Sequence, residues 1–324
     1  MTNLGQIDHL TDDVDPAVRR FVTETSAAYA AGGPFQDLSF PEQRRLAEAV
    51  RAPWRAGGPV MAETREVLVE TPHGPVRVRL YDPTPDRPKP ALIYLHGGGW
   101  TLFSLDTHDR VMREYAAAAN VVVAGVDYAL SPEARFPVAL EQVEAVTAWL
   151  SANAAACGVD ASRVAIGGDS AGACLSMATA LKLRDTGRAD LIAAMLLIYP
   201  VFDTGVSDGA ARKFGGESYM LSPAELAGFW SNYLSGPKDA ASPLARPLLA
   251  DLAGLPAALL TIAQCDILAE QGVAMAARLQ AAGVEARADV YPGATHSFLE
   301  AVSIAPIARK AIDDGAAWLR ATLR

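Results

Sequence analysis

One heptapeptide, Ile166-Gly167-Gly168-Asp169-Ser170-Ala171-Gly172, restricts the fold more than any other stretch of this 324-residue chain. The run Arg163 to Ile166 leads in and reads as the end of a strand, and Ala173 to Leu183 reads as a helix. Between them Gly168, Ser170 and Gly172 form G-x-S-x-G. A strand that reverses so sharply into a helix holds its turning residue at strained backbone angles. Only glycine or small neighbours let the two arms pass without a clash. The serine hydroxyl is pushed out at the carboxyl edge of a sheet, and the Ala171 N–H points there from a helix N-terminus. The motif predicts a nucleophile elbow. A plain Gly-rich turn with a capping serine is the alternative that the rest of the chain has to exclude.

From Pro90 onward the rhythm is strand, loop, helix. Strands are predicted at 91–95, 121–126, 191–198, 257–263 and 286–290, besides the strand that enters the elbow. Helices are predicted at 109–119, 136–149, 272–282 and 307–323. Strands that are continuously apolar and separated by helices indicate an α/β fold, a mostly parallel sheet covered on both faces. Two alternating runs, 64–70 and 76–81, predict an antiparallel edge closed by the turn at Thr71 to Pro75. Residues 1–56 stand outside this rhythm. They hold one helix opened by Asp15 and Pro16, and a second from Pro41 to Ala52, capped by Ser39 and stopped by Pro53. Residues 202–239 interrupt it again, with an amphipathic stretch from Pro223 to Leu234 that bears Phe229, Trp230 and Tyr233. An insertion at the edge that bears the nucleophile is well placed to roof it. The core is then 57–201 with 240–324.

Composition removes whole classes of partner. A net charge of -9, dispersed along the chain, argues against nucleic acid and against anionic membrane surfaces. No apolar run approaches the ~18 residues that a membrane span needs, and the acidic leader Met1 to Asp15 has no apolar signal region. Cys157, Cys174 and Cys265 have no metal-like spacing and leave an odd thiol, so a reducing, cytoplasmic setting is expected. Oligomeric state is not legible; a homodimer is compatible with the sequence.

A serine hydroxyl needs a base to be nucleophilic at neutral pH. Of the five histidines, His9 and His73 read as surface residues, and His108 lies near a predicted helix start. His296 follows the last strand across Tyr291-Pro292-Gly293-Ala294-Thr295 and so lands on the edge that carries Ser170. The base needs an acceptor on its other nitrogen. Asp266, just beyond strand 257–263, supplies it, and Glu270 is set aside as a residue of the following helix start. A carbonyl that becomes tetrahedral also needs preset donors for its oxygen. His96-Gly97-Gly98-Gly99-Trp100 follows the strand that ends at Leu95. Gly97 and Gly98 are the expected donors, with Ala171 as the third, and His96 is structural. Trp100 either packs there or lines a pocket.

Taken together, His96-Gly-Gly-Gly-Trp100, Gly168-Asp169-Ser170-Ala171-Gly172, Asp266-Ile267-Leu268 and His296-Ser297-Phe298 resemble the hormone-sensitive-lipase-like family of α/β-hydrolases, in its GDSAG branch. The match spans roughly Val67 to Leu319. It departs from the usual D-P-L and H-G-F at Ile267 and Ser297, which would lie at the rim of the substrate pocket. Asp169, at the variable place of the elbow, would brace it, and with Trp100, Ile267 and Ser297 is a candidate for the substrate pocket. The resemblance implies a carboxylesterase for short- to medium-chain acyl esters, with Ser170, His296 and Asp266 as its triad. It implies a cap made of residues 1–56 and 202–239, a small-molecule ester as substrate, and no metal or cofactor. Another acyl hydrolase on the same scaffold (amidase, carbamate or formamide hydrolase, lactonase) shares these motifs. A ligand-binding receptor that has lost catalysis would normally lack one of the three residues.

Overall fold

The computed structural model describes residues 13–84, 86 and 88–324. His9 and most of the acidic leader lie outside the described residues. Eight strands form one sheet: β1 (Glu63–Val69), β2 (Val76–Asp82), β3 (Lys89–Leu95), β4 (Val122–Val126), β5 (Val159–Asp169), β6 (Ala194–Ile198), β7 (Ala257–Cys265) and β8 (Ala286–Thr295). Their order is β1-β2-β4-β3-β5-β6-β7-β8. β1 and β2 are antiparallel, as the alternating runs predict, and β2 is antiparallel to β4. All later pairings are parallel. The central strands β4 and β6 are buried along their full length, which is what their unbroken apolar runs require once helices cover both faces.

Ten α-helices accompany the sheet among the described residues: α1 (Pro16–Ala31), α2 (Phe40–Arg55), α3 (Asp109–Ala119), α4 (Val138–Ala152), α5 (Ala171–Asp185), α6 (Asp208–Phe214), α7 (Pro223–Tyr233), α8 (Pro237–Ala240), α9 (Ala269–Ala281) and α10 (Pro306–Thr322). α3 and α10 pack together, and α4 packs on α5. Residues 171–181 of α5 are wholly buried, with the Ser176 and Thr179 hydroxyls turned back onto carbonyls of the helix itself, and only the last turn, with Lys182, Arg184 and Asp185, reaches water.

The first two helices carry the caps read from sequence. The Asp15 carboxylate accepts from the N–H groups of Ala17 and Val18 at 2.9 and 3.1 Å. The Ser39 N–H donates to Glu42 at 2.9 Å. α2 nevertheless runs past Pro53 to Arg55. A proline in the last turn forfeits one hydrogen bond where the ladder is already ending, and Trp54 gains an edge contact with Phe21 at 4.8 Å between ring centroids. The α1–α2 pair is tied to the sheet by the Asp15 N–H, which donates to the Gly293 carbonyl at 2.9 Å. α1 and α2 both pack on a 3-10 helix, Phe298–Ser303, that follows β8. No described helix is long and apolar enough to cross a membrane.

Candidate active site

Three strand ends deliver the candidate residues. β5 ends at Asp169 and α5 begins at Ala171, which leaves Ser170 alone on the turn at φ 54, ψ −116. Such a conformation costs a non-glycine residue roughly 1–3 kcal/mol and persists only where its surroundings impose it. Here the Ser170 N–H donates to the Ile198 carbonyl of β6 at 2.9 Å. The Leu95 carbonyl of β3 passes so close to Gly168 and Gly172 that a Cβ on either would strike its oxygen.

The other two come from β7 and β8. The stretch 291–295, read from sequence as a loop, is strand: β8 continues to Thr295 and pairs it with Cys265 across a register shift. Pro292 does not end the strand because β8 is the sheet edge, where a missing N–H removes no inner ladder bond. Asp266 and His296 are thus the next residues beyond a paired Cys265 and Thr295. His296 Nδ1 lies 2.6 Å from Asp266 Oδ2, and its Nε2 lies 2.9 Å from Ser170 Oγ. A carboxylate only accepts, so Nδ1 carries the proton and Nε2 is left to accept from the serine hydroxyl. The second Asp266 oxygen accepts from the Leu268 N–H at 2.9 Å. Burial opposes charge on the imidazole, but the Asp266 carboxylate outweighs it and holds the His296 pKa above its ordinary value. Glu270 has a different partner. α9 starts at Ala269 rather than at Gly272, and Glu270 accepts from the Ser207 hydroxyl at 3.0 Å.

The glycine loop corrects one expectation. The Gly97 N–H is already engaged, donating to Asp169 Oδ1 at 3.1 Å. The N–H groups of Gly98, Gly99 and Ala171 have no acceptor among the described residues. Gly98 and Gly99 sit at φ 108 and 58, and a Cβ on Gly99 would enter the ring of Phe229 from α7. Asp169 is buried and braces three segments. Besides Gly97 it accepts from the Tyr94 hydroxyl at 2.9 Å, and its Oδ2 lies 3.3 Å from His108 Nε2. His108 does occupy the N-cap position of α3, but its ring turns inward to this carboxylate, which no local pattern announces. Burial works against the Asp169 charge, and His108 more than compensates, so the carboxyl stays below its usual range. His96 is structural: its Nδ1 donates to the Gly97 carbonyl at 2.7 Å, its carbonyl accepts from Tyr128, and burial pushes its pKa down to about 4.

Trp100 offers no surface to a pocket. It is fully buried, stacked on Tyr233 at 4.2 Å and tilted against Trp230 at 4.6 Å. Ile267 and Ser297, expected at the rim, are buried beside Asp266 and His296, and Ser297 adopts a left-handed conformation with φ 61. Cys157, Cys174 and Cys265 are buried and form no disulfide.

A sheet of this order, with a strained serine turn after β5 and an acid and a base two and three strands further along that edge, defines an α/β-hydrolase. A family profile described as the alpha/beta hydrolase fold matches residues 92–300. Among solved structures, the chain is 33% identical to a hyperthermophilic esterase from the archaeon Pyrobaculum calidifontis, covering 95% of this chain and 98% of that one, with a TM-score of 0.89. It is 36% identical to a thermostable carboxylesterase cloned from a metagenomic library, over 89% and 99% of the two chains, with a TM-score of 0.86. A third relative, an ester hydrolase from the Lake Arreo metagenome complexed with a bipyridine phosphonate derivative, is 32% identical over 95% and 98%, with a TM-score of 0.88. The chain belongs to the α/β-hydrolase family, in the hormone-sensitive-lipase-like branch that its motifs resemble.

Proposed function

We propose that this carboxylic ester hydrolase cleaves short- to medium-chain acyl esters through an acyl-enzyme on Ser170. The observation that carries the reading is the unbroken chain from Ser170 Oγ to His296 Nε2 at 2.9 Å and from His296 Nδ1 to Asp266 at 2.6 Å. Ser170 attacks the ester carbonyl while His296 takes its proton, and Asp266 steadies the imidazolium that forms. The carbonyl oxygen becomes an oxyanion and receives the N–H groups of Gly98, Gly99 and Ala171. Each such donor is worth about 100- to 1,000-fold in kcat. Gly97, whose N–H serves Asp169, holds the loop instead. His296 then returns its proton to the leaving alcohol. A water molecule, deprotonated in turn by His296, attacks the acyl carbon and releases the acid with Ser170 restored. A cytoplasmic setting is part of the proposal, supported by three buried cysteines outside any disulfide.

The test is a p-nitrophenyl ester series of increasing acyl length beside a matched amide, with fluorophosphonate labelling of Ser170. Residues 13–56, the described part of the 1–56 segment, and 202–239 are proposed to roof the site, with Phe229 over Gly99 as one wall. Turnover is expected to peak at short acyl chains and to fall beyond about eight carbons, because a pocket of ordinary volume must end. A profile that climbs steadily to long chains removes the roof from the argument, and a faster amide moves the reading to an amidase.

The same reading fixes the pH response. Only neutral His296 can accept the serine proton, and its pKa is raised above 6.5. The acid limb of kcat/KM is therefore expected to have its midpoint above pH 6.5, with activity lost as pH falls through it. A midpoint at or below that value contradicts the coupling of His296 to Asp266.

A further inference from the structure

Deep between α2 and the 3-10 helix after β8 lies an ion pair that the mechanism leaves unused. Arg51 Nε is 2.7 Å from Glu300 Oε2, with the two side chains only 4% and 3% exposed. The contact is one of proximity rather than of hydrogen-bond alignment, and neither group has another hydrogen-bond partner among the described residues. Two full charges so buried are costly unless each stays with the other, and such a pair stabilises little compared with apolar residues of the same volume. Stability alone is thus a weak account of it.

Its neighbours supply a better one. Glu300 belongs to Phe298–Ser303, the 3-10 helix that starts two residues after His296, and its N–H donates to the Ser297 carbonyl at 3.1 Å. On the other side, the Arg51 guanidinium lies 4.9 Å above the ring of Phe103. Phe103 stands at φ 71, a strained conformation for an aromatic residue, and its ring lies where a Cβ on Gly98 would touch it. That ring is also 5.7 Å from His108, the partner of Asp169. The same guanidinium lies 5.5 and 5.9 Å from the rings of Phe21 and Tyr29 of α1. One side chain therefore touches the helices outside the sheet, the turn that carries the base, and the loop that carries an oxyanion donor.

We propose that Arg51 is a positioning residue that couples the seating of α1 and α2 to the alignment of His296, through Glu300, and of Gly98, through Phe103. On this view the N-terminal helices complete the active site rather than merely cover it. A substrate-sized opening of α1–α2 would loosen both halves of the machinery together, and closure would restore them. Burial holds the Glu300 carboxyl above its usual range, and Arg51 pulls in the opposite direction, so the state of this carboxyl depends on how α2 is seated.

The proposal rests on the reading of Ser170 and His296 given above, and the experiment separates the two. Full-length wild type, Arg51→Met and the double variant Arg51→Met/Glu300→Leu are compared in ester kinetics, fluorophosphonate labelling rate and thermal unfolding. Arg51→Met leaves a buried carboxylate uncompensated, so it loses both stability and turnover. The double variant removes both charges and is expected to recover wild-type thermal stability. Its kcat should still fall by about 10- to 100-fold, because displacement of reacting groups by an ångström or so has that effect. KM should stay within about twofold, and labelling should slow in step with kcat. A double variant that is as fast as wild type, or as unstable as Arg51→Met, makes the pair a purely structural device and overturns the coupling. Absence of ester turnover and labelling in wild type overturns the esterase reading, and this proposal with it.

Discussion

Ser170→Ala and His296→Ala are each expected to lower ester turnover by about 10⁴-fold or more while leaving the fold intact, and the double variant should be scarcely slower than either. The non-additivity is the informative part. Ser170 Oγ and His296 Nε2 share one hydrogen bond of 2.9 Å, so removing either end abolishes the same proton transfer. What survives is whatever Gly98, Gly99 and Ala171 do for a carbonyl oxygen without a nucleophile. Folding is checked by thermal unfolding, since Ser170 is a strained residue and alanine relieves none of that strain. Residual activity within tenfold of wild type would remove Ser170 from the chemistry. Losses that multiply in the double variant would mean that the two residues act in separate steps.

The second large effect belongs to the acid. Asp266→Asn is expected to cost about 10⁴-fold in kcat at neutral pH, because an amide can donate to Nδ1 and hold the tautomer whose proton already occupies Nε2. The same change removes the charge that raises the His296 pKa, so the acid limb of the remaining activity should move to lower pH. Glu270→Gln, at an exposed position that receives the Ser207 hydroxyl, should stay within about twofold of wild type. Steady-state kinetics of the two variants across pH decides between them. The reverse ranking would transfer the acid's role to Glu270.

What the sequence discloses about this site depends on how far each feature reaches along the chain. The elbow is local: Gly168, Ser170 and Gly172 lie within five residues, and the clash each glycine avoids is with an adjacent strand. The parallel sheet follows from the apolar runs, and strand ends follow from the sheet, so Asp266 and His296 could be placed on one edge before any coordinates. The errors lie where distant residues decide. Gly97 looks like an oxyanion donor because it opens a glycine run, but its N–H is claimed by the carboxylate of Asp169, which β5 brings alongside β3. Pro292-Gly293 looks like a loop, yet pairing with β7 carries β8 through it. Pro53 looks like a stop, and packing of Trp54 on Phe21 carries α2 past it. Arg51 carries no mark in the sequence, and only the fold brings Glu300 to it. Periodicity carries no information about such pairings.

The pairing of Cys265 with Thr295 has a consequence for how this scaffold can diverge. Because the acid and the base each extend from a hydrogen-bonded ladder, their separation is set by strand register and not by loop length. A single residue inserted within the continuously paired run, between Ala258 and Ala263 or between Ala286 and Tyr291, would slip one strand against the other and turn its side chains to the opposite face. Segment 202–256 carries no such constraint, since it contributes no strand to the sheet. New substrate preferences can thus accumulate there by insertion, deletion or exchange of the whole segment, while the paired residues of β7 and β8 tolerate only substitution. Chimeras that graft a relative's 202–256 segment onto this chain should keep the geometry of Asp266 and His296, and libraries that vary length on the β7–β8 side should be dominated by inactive members.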